Sequence, residues 1–216
     1  VDSLYVRSES EIRRLLIANI PRELVLAVED GLTAGAQRAY AAAAGMADGH
    51  LPHVVGQLRH FHMNETFHRA LDGAKASPSA ILGNTIVTGR CGIFALGRFN
   101  IPVGFWTNGS RSKTRRQMSI ANRSIEALLQ PELFDAYVPP AEATAFFVAC
   151  FSGSMQYRPE APLSIQVAVP APNMRRWLFR EPLAVFVEHY DRAEVEQIDL
   201  ARPTLKRDRK RKSSGE

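Results

Sequence analysis

The chain has 216 residues, of which 45% are hydrophobic and 23% charged, a balance that excludes an intrinsically disordered protein and is ample for a hydrophobic core. Formal net charge is +5, but Lys206–Lys212 (KRDRKRK) alone carries six cations and one anion, so the rest of the chain is near neutral. The two cysteines, Cys91 and Cys150, lie far apart without CxxC spacing, which argues against a disulfide framework or a thiolate zinc site. No apolar run reaches the roughly 18 residues of a membrane span, and the opening VDSLYVRSES is too polar for a signal peptide. A cytoplasmic protein without cofactor or metal is the expectation.

The first third reads as helical. Ser8 or Ser10 caps SEIRRLL, and Pro21 opens a second helix that Asp30-Gly31 should stop. Thr33 then caps AGAQRAYAAAAGM, whose small side chains invite a close helix neighbour. In HLPHVVGQLRHFHMNETFHRAL, Leu51, Val54, Val55, Leu58 and His62 share a face that Phe67 and Leu71 do not continue. Two short helices breaking at Met63–Asn64 are therefore predicted, with Asn64 as the second N-cap.

Past AKASPSA the chemistry changes to Ile, Val, Phe and Thr punctuated by glycine. A β-hairpin turning within Gly89–Gly92 and a short third strand are expected. WTNGSRSKTRRQMSIANRSIEALLQ follows as a helix capped by Ser112 or Thr114, with Met118, Ala121, Ile125 and Leu128 as its apolar stripe. A proline-bounded connector leads to two strands, Thr144–Phe151 and the one in LSIQVAVPAP. EPLAVFVEHYDRAEV reads as a helix from Pro182, although its valines also permit a strand over Pro182–Tyr190. Helices first and strands after them indicate an α+β fold with a mostly antiparallel sheet rather than a doubly wound one. One domain over residues 1–203 is expected, helical over about 8–73 and mixed over about 80–200, with a disordered basic tail at 204–216.

Several chemistries have no motif here. Walker A, GxGxxG, GxSxG and HExxH are all missing. A nuclease-type Asp with Glu-x-Lys fails too, because Gln166 stands where the glutamate is needed. Five of the six histidines fall between His50 and His68, yet no metal-ligand spacing occurs among them.

What stands out is cationic. Arg111, Lys113, Arg115 and Arg116 cluster at a helix start, where cations oppose the helix dipole unless an anion compensates them. Together with Ser110, Ser112, Thr114 and Arg123, and with Arg90 and Arg98 from the Gly-Arg repeats, they form a candidate phosphate-binding set. Phe94 and Phe99, interleaved with Arg90 and Arg98, suit base stacking. The leading expectation is a nucleic-acid-binding, DNA-associated protein, the tail adding salt-sensitive affinity. The second is an enzyme in which the arginines clamp a phosphorylated or carboxylated small molecule and His60, His68 or Glu65 exchanges a proton. The third is an assembly subunit docking through Phe105, Trp106, Phe134, Trp177 and Phe179. Cys91, beside Arg90, is a candidate for a lowered thiol pKa.

Overall fold

The computed structural model describes residues 2–129 and 140–199, with side chains over 9–127 and 140–191. The basic tail, Phe134 and Leu128 as a stripe residue lie outside that description. Three helices come first: α1 (Asp2–Asn19), α2 (Arg22–Ala43) and α3 (Leu51–Gly73). Strands β1 (Thr88–Cys91) and β2 (Phe94–Pro102) follow, then a 3₁₀ helix (Trp106–Arg111) and α4 (Lys113–Ser119). A 3₁₀ turn (Ile120–Asn122) and α5 (Arg123–Leu129) lead toward β3 (Ala143–Phe151), β4 (Ser164–Pro170), β5 (Trp177–Pro182) and α6 (Leu183–Asp199). The strands form one sheet in chain order, antiparallel throughout except where β2 runs parallel to β3. The fold is α+β with a mostly antiparallel sheet, as the order of segments indicates.

The sheet has two covered faces. On one, Phe94 and Leu96 of β2, Phe147 of β3 and Val167 and Val169 of β4 pack with Leu16, Leu24, Leu32 and Phe67 from the helices. On the other, Phe99, Ile101, Phe146, Val148 and Ala168 make a smaller core with Met174, under Trp106, Met118 and Trp177. The first core carries most of the buried apolar surface. Each fully buried Phe or Leu there stabilises the fold by roughly 1.5–3 kcal/mol.

Two predicted helix breaks are absent. α2 continues through Asp30-Gly31 because Gly31 and Gly35 face α3 at close range. A Cβ on Gly35 would lie 2.9 Å from Thr66 Oγ1 and 3.0 Å from the His62 carbonyl oxygen, so only glycine allows this approach. Packing energy of that kind outweighs the roughly 1 kcal/mol that glycine costs inside a helix. Likewise α3 runs unbroken through Met63–Asn64, and Asn64 is a buried mid-helix residue rather than a cap.

The strand region also differs in detail. The hairpin turns on Gly92 and Ile93, with Gly92 at φ +51° and the Ile93 N–H donating to Asn19 Oδ1 at 3.1 Å. β2 is a single nine-residue strand, so no separate third strand follows the hairpin. β5 is a strand beyond those expected: it is six residues long, and Leu178 and Phe179 are buried in succession, so its sequence shows no clean alternation. The helix reading after Pro182 holds, with α6 starting at Leu183. Cys91 and Cys150 are buried free thiols, and burial pushes both pKa values up. Cys91 is thus the reverse of an activated thiol, despite Arg90 beside it.

Candidate anion-binding groove

The basic stretch is a chain of short pieces, not one helix. Ser112 caps α4, its hydroxyl accepting from the Arg115 N–H at 3.4 Å. The break after Ser119 lets Asn122 turn inward, where it is fully buried. Its Nδ2 donates to the carbonyls of Thr144 (3.0 Å) and Pro170 (2.8 Å), and its Oδ1 accepts from the Thr144 N–H at 2.6 Å. Thr144 Oγ1 donates in turn to the Met118 carbonyl at 2.8 Å. These bonds pin the crossover to β3 and to the end of β4.

The predicted cations separate into five settings. Arg115 folds back, its Nε donating to the Gly109 carbonyl (2.8 Å) and its Nη2 to that of Asn108 (3.1 Å), with the guanidinium 4.5 Å from the Phe99 ring centroid. Burial lowers its pKa. Arg115 therefore holds the 3₁₀ helix in place. Lys113 and Arg116 are exposed, and with Ser110 and Gln117 they line one wall of a groove of about 530 Å³. Pro172, Asn173 and Arg175 from the β4–β5 turn make the opposite wall. Arg90 lies across α4 in a second hollow of about 300 Å³, which it shares with Glu142 and Met118. Arg111, Thr114 and Arg123 are exposed and line neither hollow.

Arg98 is elsewhere altogether. It sits in register with Phe94 and Leu96 on the α3 side of the sheet and is 2% exposed. Its Nε and Nη2 reach Asn64 Oδ1 at 2.9 and 2.7 Å. Nη2 also donates to the His60 carbonyl at 2.7 Å, and Nη1 to Asn100 Oδ1 at 3.1 Å. Burial pushes its pKa down to about 9. Phe94 (0% exposed) and Phe99 (4%) are core residues, so neither offers a face to a base.

The candidate acid–base residues belong to α3. His60 is half-buried, and its Nε2 sits 3.3 Å from Asn64 Nδ2, an amide that can only donate. The imidazole is thus the acceptor and neutral at that nitrogen. Burial, then the Arg98 charge, lower its pKa. Glu65 is exposed, 3.6 Å from His62 Nδ1 and 4.0 Å from Arg38. His68 is half-buried on the same helix. The sheet separates all three from Lys113 and Arg116, so the structure does not bring the proposed arginine clamp and proton carriers together. Among the described residues, no group of three His, Cys, Asp or Glu side chains is placed to hold a metal.

The aromatic candidates divide as well. Phe179 is 2% exposed and meets Phe186 edge-on inside the main core. Trp106 and Trp177 are half-buried and in T-shaped contact at 5.1 Å.

Sequence reasoning missed Arg98's burial, Asn122's role and the groove's second wall. The first was readable, since Phe94, Leu96 and Arg98 alternate on one strand face. The other two were not, because Asn122 and Arg175 meet their neighbours only across long sequence separations. No helix among the described residues is long and apolar enough to cross a membrane. No protein-family model matches the chain, and comparisons with curated proteins and with solved structures give no match either.

Proposed function

We propose that the protein binds nucleic acid, with phosphates seated in the groove between α4 and the β4–β5 turn. The observation behind this reading is charge without a counter-ion. Lys113, Arg116 and Arg175 line one groove whose lining includes no carboxylate. None of the three is in an ion pair among the described residues, whereas Arg13, Arg22, Arg38 and Arg176 each reach a Glu or Asp. Like charges gathered in a concave site repel one another, and a phosphate backbone relieves that repulsion. Ser110, Gln117 and Asn173 add neutral donors beside them. The basic run Lys206–Lys212 suits such a ligand too, contributing affinity without specificity.

The groove argues for contacts that position a strand rather than read its sequence. The seven-residue α4 is too short to contribute much dipole, so the side-chain charges supply the attraction. The test is fluorescence anisotropy of a labelled oligonucleotide at low salt, with the full chain and with Lys113→Ala/Arg116→Ala/Arg175→Ala. Binding weakened at least about tenfold in the variant supports the groove. Equal binding by both proteins would move the contact elsewhere, with Lys206–Lys212 the first place to look.

A further inference from the structure

Phosphate seats explain attraction to any nucleic acid, single or double. A second feature separates those two. At the far end of the 3₁₀ helix from Ser110, Phe105 is 59% exposed. Next to it, Trp106 carries the Arg180 guanidinium over its ring, 4.7 Å from the centroid. The support beneath is fixed. Trp106 meets Trp177 edge-on at 5.1 Å, and Trp177 tilts against Phe99 at 6.3 Å. Phe99 belongs to the core and has Arg115 over its ring. Gly109 admits the Trp177 ring so closely that a Cβ there would lie 3.1 Å from Trp177 Cζ2.

Phe105 is thus an exposed aromatic next to the first residue of a helix whose other end lines the cationic groove. Five residues at the 3₁₀ rise of roughly 2 Å put the two about 10 Å apart, close enough for one strand to touch both. Basic groups flank it along the chain and in the fold, with exposed Arg180 over the ring of its chain neighbour Trp106 and exposed Arg111 at the end of the same helix. Exposed aromatics flanked by arginine suit bases, which stack on rings and on guanidinium planes alike. A base inside a duplex is already stacked on both faces and offers none to Phe105, whereas an unpaired base does.

We propose that the groove takes single-stranded nucleic acid, its backbone along Lys113, Arg116 and Arg175 and a base stacked on Phe105 beside the Arg180–Trp106 pair. This rests on the nucleic-acid reading given above.

The chain has two tryptophans, and both, Trp106 and Trp177, lie at this platform, so intrinsic fluorescence reports on it directly. The full-length protein is titrated with a single-stranded oligonucleotide, with the duplex of the same sequence, and with inorganic polyphosphate. The expected result is tryptophan quenching by the single strand and affinity for it about tenfold above that for the duplex. Phe105→Ala should weaken single-strand binding roughly five- to a hundredfold, the range for losing one stacked base. Polyphosphate binding should not change, and Phe105→Tyr should restore the strand preference. Equal affinity for strand and duplex, with Phe105→Ala indifferent, would overturn the stacking proposal and leave the phosphate groove standing. Failure to bind all three polyanions would remove both.

Discussion

On the α3 side of the sheet, Arg98 keeps its guanidinium inside, donating to Asn64, Asn100 and the His60 carbonyl. On the α4 side, Arg116 is exposed beside Lys113 and Arg175, with the Ser110 carbonyl as its hydrogen-bond acceptor at 2.6 Å. The side chain is the same and the free-energy problem opposite. A buried cation survives only when its N–H groups are satisfied, so Arg98 is tied to the fold at every end. An exposed cation needs no partner to persist, so a set of them facing one hollow contributes little to stability and is available for a ligand. Arg115 stands between the two, half-buried and spent on the carbonyls of its own loop.

Replacing the inward arginine is the severest way to break that contrast. Arg98→Met should orphan Asn64 Oδ1, take the Arg98 donor from Asn100 Oδ1 and the second donor from the His60 carbonyl, and lower stability by about 3 kcal/mol in urea unfolding. Asn122→Ala leaves buried backbone groups of Thr144 and Pro170 unpaired, and should cost about 2–3 kcal/mol by the same measurement. Arg115→Ala removes two hydrogen bonds and the contact with Phe99, for a loss of about 1–2 kcal/mol. Lys113, Arg116 and Arg175 remain in that variant, so its polyphosphate affinity should stay close to wild type where it is folded, whereas single-strand affinity should fall because the 3₁₀ helix that follows Phe105 loses its anchor.

His60 gives a smaller effect, visible in pH. Its folded pKa lies below the ordinary 6.5. As pH falls through 6.5, the unfolded chain therefore binds a proton that the folded one refuses. Stability should decline from pH 6.5 down to the lowered folded value, and His60→Gln should flatten that acid limb. Smallest of all is the effect of Lys113→Ala/Arg116→Ala on stability, within about 0.5 kcal/mol of wild type, because neither side chain is buried.

Sequence patterns reached local features better than distant ones. The Ser112 cap, the β3 run of Phe, Val and Ala, and the start of α6 were all legible, because each depends on neighbours a few residues away. Asp30-Gly31 misled because its local stop signal is overruled by Thr66 on another helix. Asn64 misled for a similar reason, since its cap-forming amide is engaged by an arginine 34 residues away. The candidate site was half legible. Lys113, Arg116 and Ser110 were in the basic stretch, but the wall that closes the groove comes from Asn173 and Arg175. Whether a given arginine points inward or outward followed from strand parity for Arg98, and from loop geometry that no periodicity encodes for Arg115.

The central claim is that the unpaired cations of the α4 face contact phosphates. Its most direct test is the salt dependence of single-stranded oligonucleotide binding by the full chain and by Lys113→Ala/Arg116→Ala/Arg175→Ala. Each phosphate contact contributes about 0.7 to the slope of log affinity against log salt, so losing three should flatten it by about 2, with the unfolding midpoint unchanged. An identical slope in both proteins, or no binding by wild type, would contradict the account.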